Sequence, residues 1–296
     1  MFALFAIATT IVFIAFHTPT LGVIEEMTEE ELEGTEIKSK QAVFFAIMAS
    51  VFLLVLYLLL KYKIVVYVAE VAVTLAAAMT CSLIIQEFVT LALRGKWDPN
   101  DPEKLHVYQL PCCGGVTWYD ALCTMIGLTL GFSWYFTRHW LLNNMLGLSM
   151  ALTFLKTVRL NRLTPGLILL GLLFFYDIFW VFFSTRFTSG GQSVMVAVAT
   201  GFDAPIKLLM PHITMDYPTT NCSLLGLGDI VIPGVFIGFL VRFGKVMTGP
   251  GANQEEGPDS PLVASKPTTA YRNAAFIAYF VALVTCGICL WLTHNA

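Results

Sequence analysis

Eight stretches of apolar residues dominate this chain, at residues 2–22, 42–60, 64–88, 119–137, 140–155, 166–184, 223–241 and 274–292, and nearly all of the charge lies in the short runs between them. About 20 mostly apolar residues are needed for a helix to cross the hydrocarbon core of a bilayer, where only helices and closed barrels satisfy their own backbone. The pattern therefore predicts an all-α membrane protein, a polytopic bundle of transmembrane helices whose solvent is the lipid bilayer. Composition points the same way. Of the 296 residues, 57% are apolar and 12% charged, against roughly a quarter charged in a soluble globular domain. A net charge of −3 supplies no basic field, which excludes nucleic acid as a partner.

The first stretch lacks a basic leader and reads as a span rather than a signal peptide. The fifth is short and is broken by Asn143 and Asn144, which suits a helix inside the bundle rather than one facing lipid. Residues 187–221 form a longer connection whose apolar piece, Val194 to Ala199, is too short to span; it reads as interfacial or re-entrant. When the eight spans alternate, twelve of the Lys and Arg residues fall on one side. The other side holds five: Lys61, Lys63, Arg138, Arg186 and Lys207. The richer side is expected to be cytosolic, which places the N-terminus in the lumen or outside the cell.

Charge at membrane depth costs several kcal/mol, so acids inside apolar spans are functional candidates. Asp177 and Asp229 pass that filter. Read as continuous helices, the sixth span puts Asp177 seven residues inside its lumenal end, about 10 Å at the helical rise. The seventh puts Asp229 six residues in from Ser223, about 9 Å on the same rise. Two carboxyls at one level in a low dielectric hold one proton between them, as aspartic protease chemistry requires: one takes a proton from water and the other donates to the scissile carbonyl. On these residues alone, a pair of hydrogen-bonded packing acids, or the proton relay of a carrier, accounts for them equally well.

Around Asp229, Gly226 and Gly228 remove side chains, so that a helix or a substrate backbone can approach. Pro233 lacks the N–H that would bond to the Asp229 carbonyl. Ordinary membrane-helix packing explains small residues and a proline as well. Glu70 and Glu87, near the ends of the third span, read as paired or solvated structural groups, and Asp120 as an acid at a helix start. Cys81, Cys123, Cys222, Cys286 and Cys289 read as small packing residues. No H-E-x-x-H occurs, so a metalloprotease of that type is excluded. Ser149 in Gly147-Leu-Ser-Met-Ala151 has no histidine at comparable depth to activate it. The acceptor sequence at Asn221 abuts the seventh span.

Tyr176-Asp177 and Gly226-Leu-Gly-Asp229 resemble the Tyr-Asp and Gly-x-Gly-Asp motifs of the intramembrane aspartyl proteases, the presenilin and signal peptide peptidase family. The run Leu225-Gly-Leu-Gly-Asp-Ile-Val-Ile-Pro-Gly234 narrows the likeness to signal peptide peptidase. So do Ala204-Pro-Ile-Lys-Leu208, His139-Trp140 with Asn143-Asn-Met-Leu-Gly147, and Tyr176-Asp-Ile-Phe-Trp-Val-Phe182. The resemblance implies about nine spans in the endoplasmic reticulum membrane, with a lumenal N-terminus. It also implies cleavage of type II transmembrane segments such as signal-peptide remnants. Asp177 and Asp229 would be catalytic, and Tyr176, Gly226, Leu227, Gly228 and Pro233 would shape the site, with no metal or organic cofactor. Residues 1–165 then read as a scaffold of spans one to five, and residues 166–296 as a catalytic half with spans six to eight. The family's Pro-Ala-Leu motif, at the start of a ninth span, has no counterpart before Ala296, so the sequence is expected to be a fragment or a truncated product, inactive as it stands. The alternative is an inactive homologue that binds signal peptides or membrane helices, or a proton-coupled carrier. A homo-oligomer is left open.

Overall fold

The computed structural model describes residues 6–12, 39–93, 107–110, 114–158, 163–186, 191, 193–211, 222–248 and 269–294. The expectation of an all-α architecture holds, with two small sheets added. A helical run over residues 6–12 is followed by α1 (Ser39–Leu59) and α2 (Lys63–Leu93), then by the strands β1 (Val107–Leu110) and β2 (Gly114–Thr117). Next come α3 (Trp118–Thr137), α4 (Trp140–Thr157) and α5 (Leu163–Ile178), which runs on through a π turn and a 3-10 turn to Arg186. A short α6 (Val194–Gly201), β3 (Lys207–Pro211), β4 (Cys222–Gly226), α7 (Gly228–Thr248) and α8 (Thr269–His294) complete the order. Among the described residues, Lys63–Thr90 and Thr164–Arg186 are long and apolar enough to cross a membrane, while Val43–Leu59, Gly228–Leu240 and Asn273–Cys289 are shorter apolar helices. Large apolar side chains remain uncovered along them; Ile64 is 80% exposed and Phe175 68%. A helix apolar on every face needs an apolar environment.

The chain divides into two compact units. One comprises the described residues of Phe44–Thr153 and Gly171–Leu227; the other, those of Met1–Val43, Phe154–Leu170 and Gly228–Ala296.

In the first unit α2 and α3 pack through small residues. A Cβ placed on Gly127 would meet the Ala78 carbonyl oxygen at 2.5 Å, and one on Gly131 would meet the Ala78 Cβ at 2.8 Å. The Gly-x-x-x-Gly spacing on α3 thus receives Ala78 and Ser82 of α2, the small-residue contact that lets membrane helices approach closely. Ala77, Cys81, Trp134 and Leu146 form the adjoining core. Tyr119 and Cys123 form a second cluster against Ile85 and Val89, and the Tyr119 hydroxyl donates to the Gln86 carbonyl at 2.9 Å. Asp120 stands in the first turn of α3, as expected.

The glutamate near the N-terminal end of α2 is paired, also as expected. Glu70 accepts from the Arg138 guanidinium at 3.2 Å and from the Asp203 N–H at 3.0 Å. Arg138 also donates to the Asp203 carbonyl at 2.8 Å and stacks over the Trp134 and Tyr135 rings. These bonds hold the α3–α4 corner, where Arg138 has φ 50°, a left-handed conformation that a residue with a Cβ rarely adopts.

The asparagines that break the fifth apolar stretch serve a sheet edge. Asn143 Nδ2 donates to the Lys207 carbonyl at 2.6 Å; Asn144 donates to the Leu209 carbonyl and accepts from the Leu209 N–H, both at 2.7 Å. The outer edge of β3 is therefore satisfied by side chains of α4, and its other edge pairs antiparallel with β4, from Lys207↔Gly226 to Pro211↔Cys222. Gly147 of α4 leaves room for the Pro205 carbonyl, which an added Cβ would meet at 3.1 Å.

One expectation is corrected here. The seventh apolar stretch does not begin as a helix at Ser223: residues 222–226 form β4, and the helix starts at Gly228. Leu224 and Leu225 are as apolar as helix residues, but they alternate exposed and buried across a strand, with Leu225 inward. Hydropathy over so short a run does not distinguish the two conformations. Within the connection read as interfacial or re-entrant, α6 has eight residues, too few to span, and β3 follows it. The packing role expected for every intramembrane cysteine holds for Cys81 and Cys123, which are buried; Cys286 and Cys289 on α8 are exposed. The polar connection read from the sequence at Asp98–Pro102, that at Thr248–Ser260 apart from Thr248, and the acceptor Asn221 lie outside the described residues.

Candidate active site

Asp177 stands one residue before the end of α5, in the first unit, with an exposed side chain. The helix changes pitch directly after it. Phe179–Phe183 form a π turn, closed by the Ser184 N–H bonding to the Phe179 carbonyl. Such turns insert one residue into the ladder and cluster at functional sites. This one is held by side chains. Ser184, 1% exposed, donates through Oγ to the Trp180 carbonyl at 2.5 Å and accepts from the Val194 N–H at 3.0 Å. Trp180 packs with Val194 and Val198 against Leu53 and Leu56 of α1 and Leu60 just after it, and its indole N–H reaches Ser50 Oγ at 3.3 Å. Tyr176 joins this cluster, its ring centroid 6.4 Å from that of Trp180.

Gly226 ends β4, and Leu227 follows as a buried turn residue whose N–H donates to the Ile206 carbonyl at 3.1 Å. Both belong to the first unit. Gly228 and Asp229 open α7 in the second unit, so Asp229 sits in the first helical turn, not six residues deep in a helix. The estimate of equal depth, which counted residues 223–229 at the helical rise, does not survive this change of conformation. Among the described residues, a Cβ on Gly228 would meet only Ile232, at 3.9 Å. The missing side chain is thus not required by a packed neighbour, and it leaves open space beside an exposed acid.

Pro233 lies inside α7. The Asp229 carbonyl, four residues earlier, is deprived of its helical donor, and the Tyr279 hydroxyl of α8 donates to it at 3.2 Å. One residue after Pro233, Gly234 lets Leu155 of α4 approach; a Cβ there would meet Leu155 Cδ2 at 2.7 Å. Ile230, Val231 and Val235 complete the buried face of α7.

Tyr279, Ser184 and Trp180 were not foreseen as contributors. Pro233 announced that a carbonyl would need a new donor, but no sequence pattern told which helix would bring one. Among the described residues no cluster of His, Cys, Asp and Glu is arranged to hold a metal ion.

Residues 28–296 match the family described as signal peptide peptidase. The chain is 36% identical to the signal peptide peptidase of Mus musculus and 35% identical to that of Homo sapiens, each over 177 residues. Those alignments cover 59% of this chain and 39% and 40% of the relatives, so the chain spans about two fifths of their length. It is 30% identical to a Schizosaccharomyces pombe protein named "probable intramembrane protease" over 278 residues, 94% of this chain and 79% of that relative. By the reach of the family match and of this last alignment, the chain belongs to the signal peptide peptidase family.

Proposed function

We propose that this protein is an intramembrane aspartyl protease that hydrolyses type II transmembrane segments such as signal-peptide remnants, with Asp177 and Asp229 as its catalytic pair. The observation that carries the reading is the sequence Gly226-Leu-Gly-Asp229 set at a strand-to-helix junction, in a chain of this family that also carries Tyr176-Asp177. In this reading the ionised carboxyl of the pair takes a proton from water, and the resulting hydroxide attacks the scissile carbonyl carbon. The protonated carboxyl donates to the carbonyl oxygen, giving a diol. The diol collapses when the amide nitrogen takes the proton held by the pair and leaves as the amine, while one diol hydroxyl gives its proton to an ionised acid as the C=O bond reforms, so that the two acids again share one proton. Metal and organic cofactors have no step in this sequence.

Membrane residence, eight spans in this chain, a lumenal N-terminus, location in the endoplasmic reticulum, and a scaffold of residues 1–165 before a catalytic half of 166–296 belong to the same reading. They are supported by the apolar spans, the Lys and Arg asymmetry and the family. Tyr176, Gly226, Leu227, Gly228 and Pro233 shape the approach to the acids. A substrate helix must unwind to expose its amide, and the extended backbone of β4 leads directly to Asp229. The test is cleavage of a labelled signal-peptide substrate in liposomes. Asp177→Ala and Asp229→Ala are each expected to remove turnover to below about 1% of wild type, as loss of one member of a cooperating pair does. Wild-type turnover in either variant overturns the pair.

A further inference from the structure

We infer that Tyr279 is a positioning residue for Asp229, acting through the backbone carbonyl that Pro233 leaves without a helical donor. The inference rests on the proposed role of Asp229 and adds to it the group that holds that residue in place. A carbonyl in the first turn of an α-helix accepts from the N–H four residues on; for Asp229 that residue is Pro233, which has none. Without that bond the first turn of α7 is less constrained, and with it the Cα–Cβ bond that aims the Asp229 carboxyl. The Tyr279 hydroxyl closes the gap at 3.2 Å, from a side chain only 9% exposed. It comes from α8, and both partners lie in the same compact unit. Its direction is sensible chemically: a phenol donates, a carbonyl accepts, and a bond made within an apolar surrounding is stronger than one made in water. A flexible donor would not do as well, since the tyrosine ring has two torsions and is itself packed.

Because the deficit is created by proline, it is removable, and that makes the role testable apart from general stability. Tyr279→Phe keeps the ring and deletes the donor. In full-length protein reconstituted in liposomes and supplied with a labelled signal-peptide substrate, it is expected to lower kcat about three- to tenfold, the worth of one hydrogen bond, with KM unchanged. Pro233→Ala restores the N–H to α7, so in that background the same Tyr279→Phe change is expected to alter kcat by less than about twofold. Should Tyr279→Phe alone fail to fold, the double variant is expected to recover the folded protein, and its failure to do so counts against the inference. A cost equal in both backgrounds, a cost confined to KM, or a wild-type kcat in Tyr279→Phe overturns it. Asp229→Ala in the same assay separates the two readings. If that variant is dead while Tyr279→Phe is unchanged, only the positioning role falls. If Asp229→Ala still cleaves, the catalytic assignment falls and the positioning role with it.

Discussion

Glu70 shows what a single buried acid does in this chain when it is not catalytic. Its two carboxylate oxygens are divided between the Arg138 guanidinium and the Asp203 N–H, so it ties α2 to the corner after α3 and to the connection before β3. Lys207 completes the surroundings by donating to the Ala199 and Phe202 carbonyls. The role was legible as a class, a paired structural acid, because a carboxylate in an apolar helix must find a partner. Which partner was not legible, since Arg138 and Asp203 are 68 and 133 residues away. Glu70→Ala is expected to lower stability by about 1–3 kcal/mol, leaving the Asp203 N–H without its acceptor and the Arg138 guanidinium with the Asp203 carbonyl but no carboxylate. Denaturant titration of the detergent-solubilised protein measures it. Glu70→Gln, which keeps an acceptor oxygen, is expected to lose less.

At the scale of elements, α1 and α3 were foreseen nearly to their ends, whereas α7 begins five residues after the stretch that announced it and the strands were not foreseen. α1 covers Ser39–Leu59 and α3 covers Trp118–Thr137, within three residues of the apolar stretches that announced them, because a run of this length without polar breaks has one stable backbone in hydrocarbon. β3 and β4 have five residues each, and their conformation depends on pairing with one another and with Asn143 and Asn144, which local composition does not encode. The π turn after Asp177 depends in the same way on Ser50, Ser184 and Val194. The small-residue contact of α2 and α3 was present in the sequence as Gly127-Leu-Thr-Leu-Gly131, with Ala78 and Ser82 spaced to match on α2. Gly131→Leu is expected to push the two helices apart and destabilise the protein by about 1–3 kcal/mol or more, the usual cost of forcing extra methylenes into a packed contact. Gly171→Leu, at a position where an added Cβ meets nothing within 4 Å among the described residues, is the control expected to stay within about 0.5 kcal/mol of wild type. Thermal unfolding of the two variants, followed side by side, compares them.

For the molecule as a whole, the arrangement in the membrane yields a prediction that no single contact carries. α2 has 31 residues, about 46 Å at the helical rise, enough to cross the bilayer with its ends in the headgroup regions. Lys61 precedes it and Arg94 follows it. In sealed microsomes whose cytosolic face is outward, Arg94→Cys is expected to react with an impermeant maleimide, and Lys61→Cys only after the vesicles are opened. The native cysteines are first replaced by serine or alanine. The reverse pattern would invert the orientation drawn from the Lys and Arg asymmetry.

The sequence by itself determined the solvent, the helical class, the acids that stand out and the family, because each of these follows from local composition or from a short contiguous motif. Hydropathy is additive along a chain, and Gly-x-Gly-Asp is read without knowing what surrounds it. Only the tertiary structure decided that the residues before Asp229 form a strand, that Asn143 and Asn144 complete the edge of β3, and that Tyr279 supplies the bond Pro233 removes. In each case a backbone or buried polar group had to be satisfied by a partner distant in sequence. The need for such a bond is local, but the identity of the donor is set by which elements pack together.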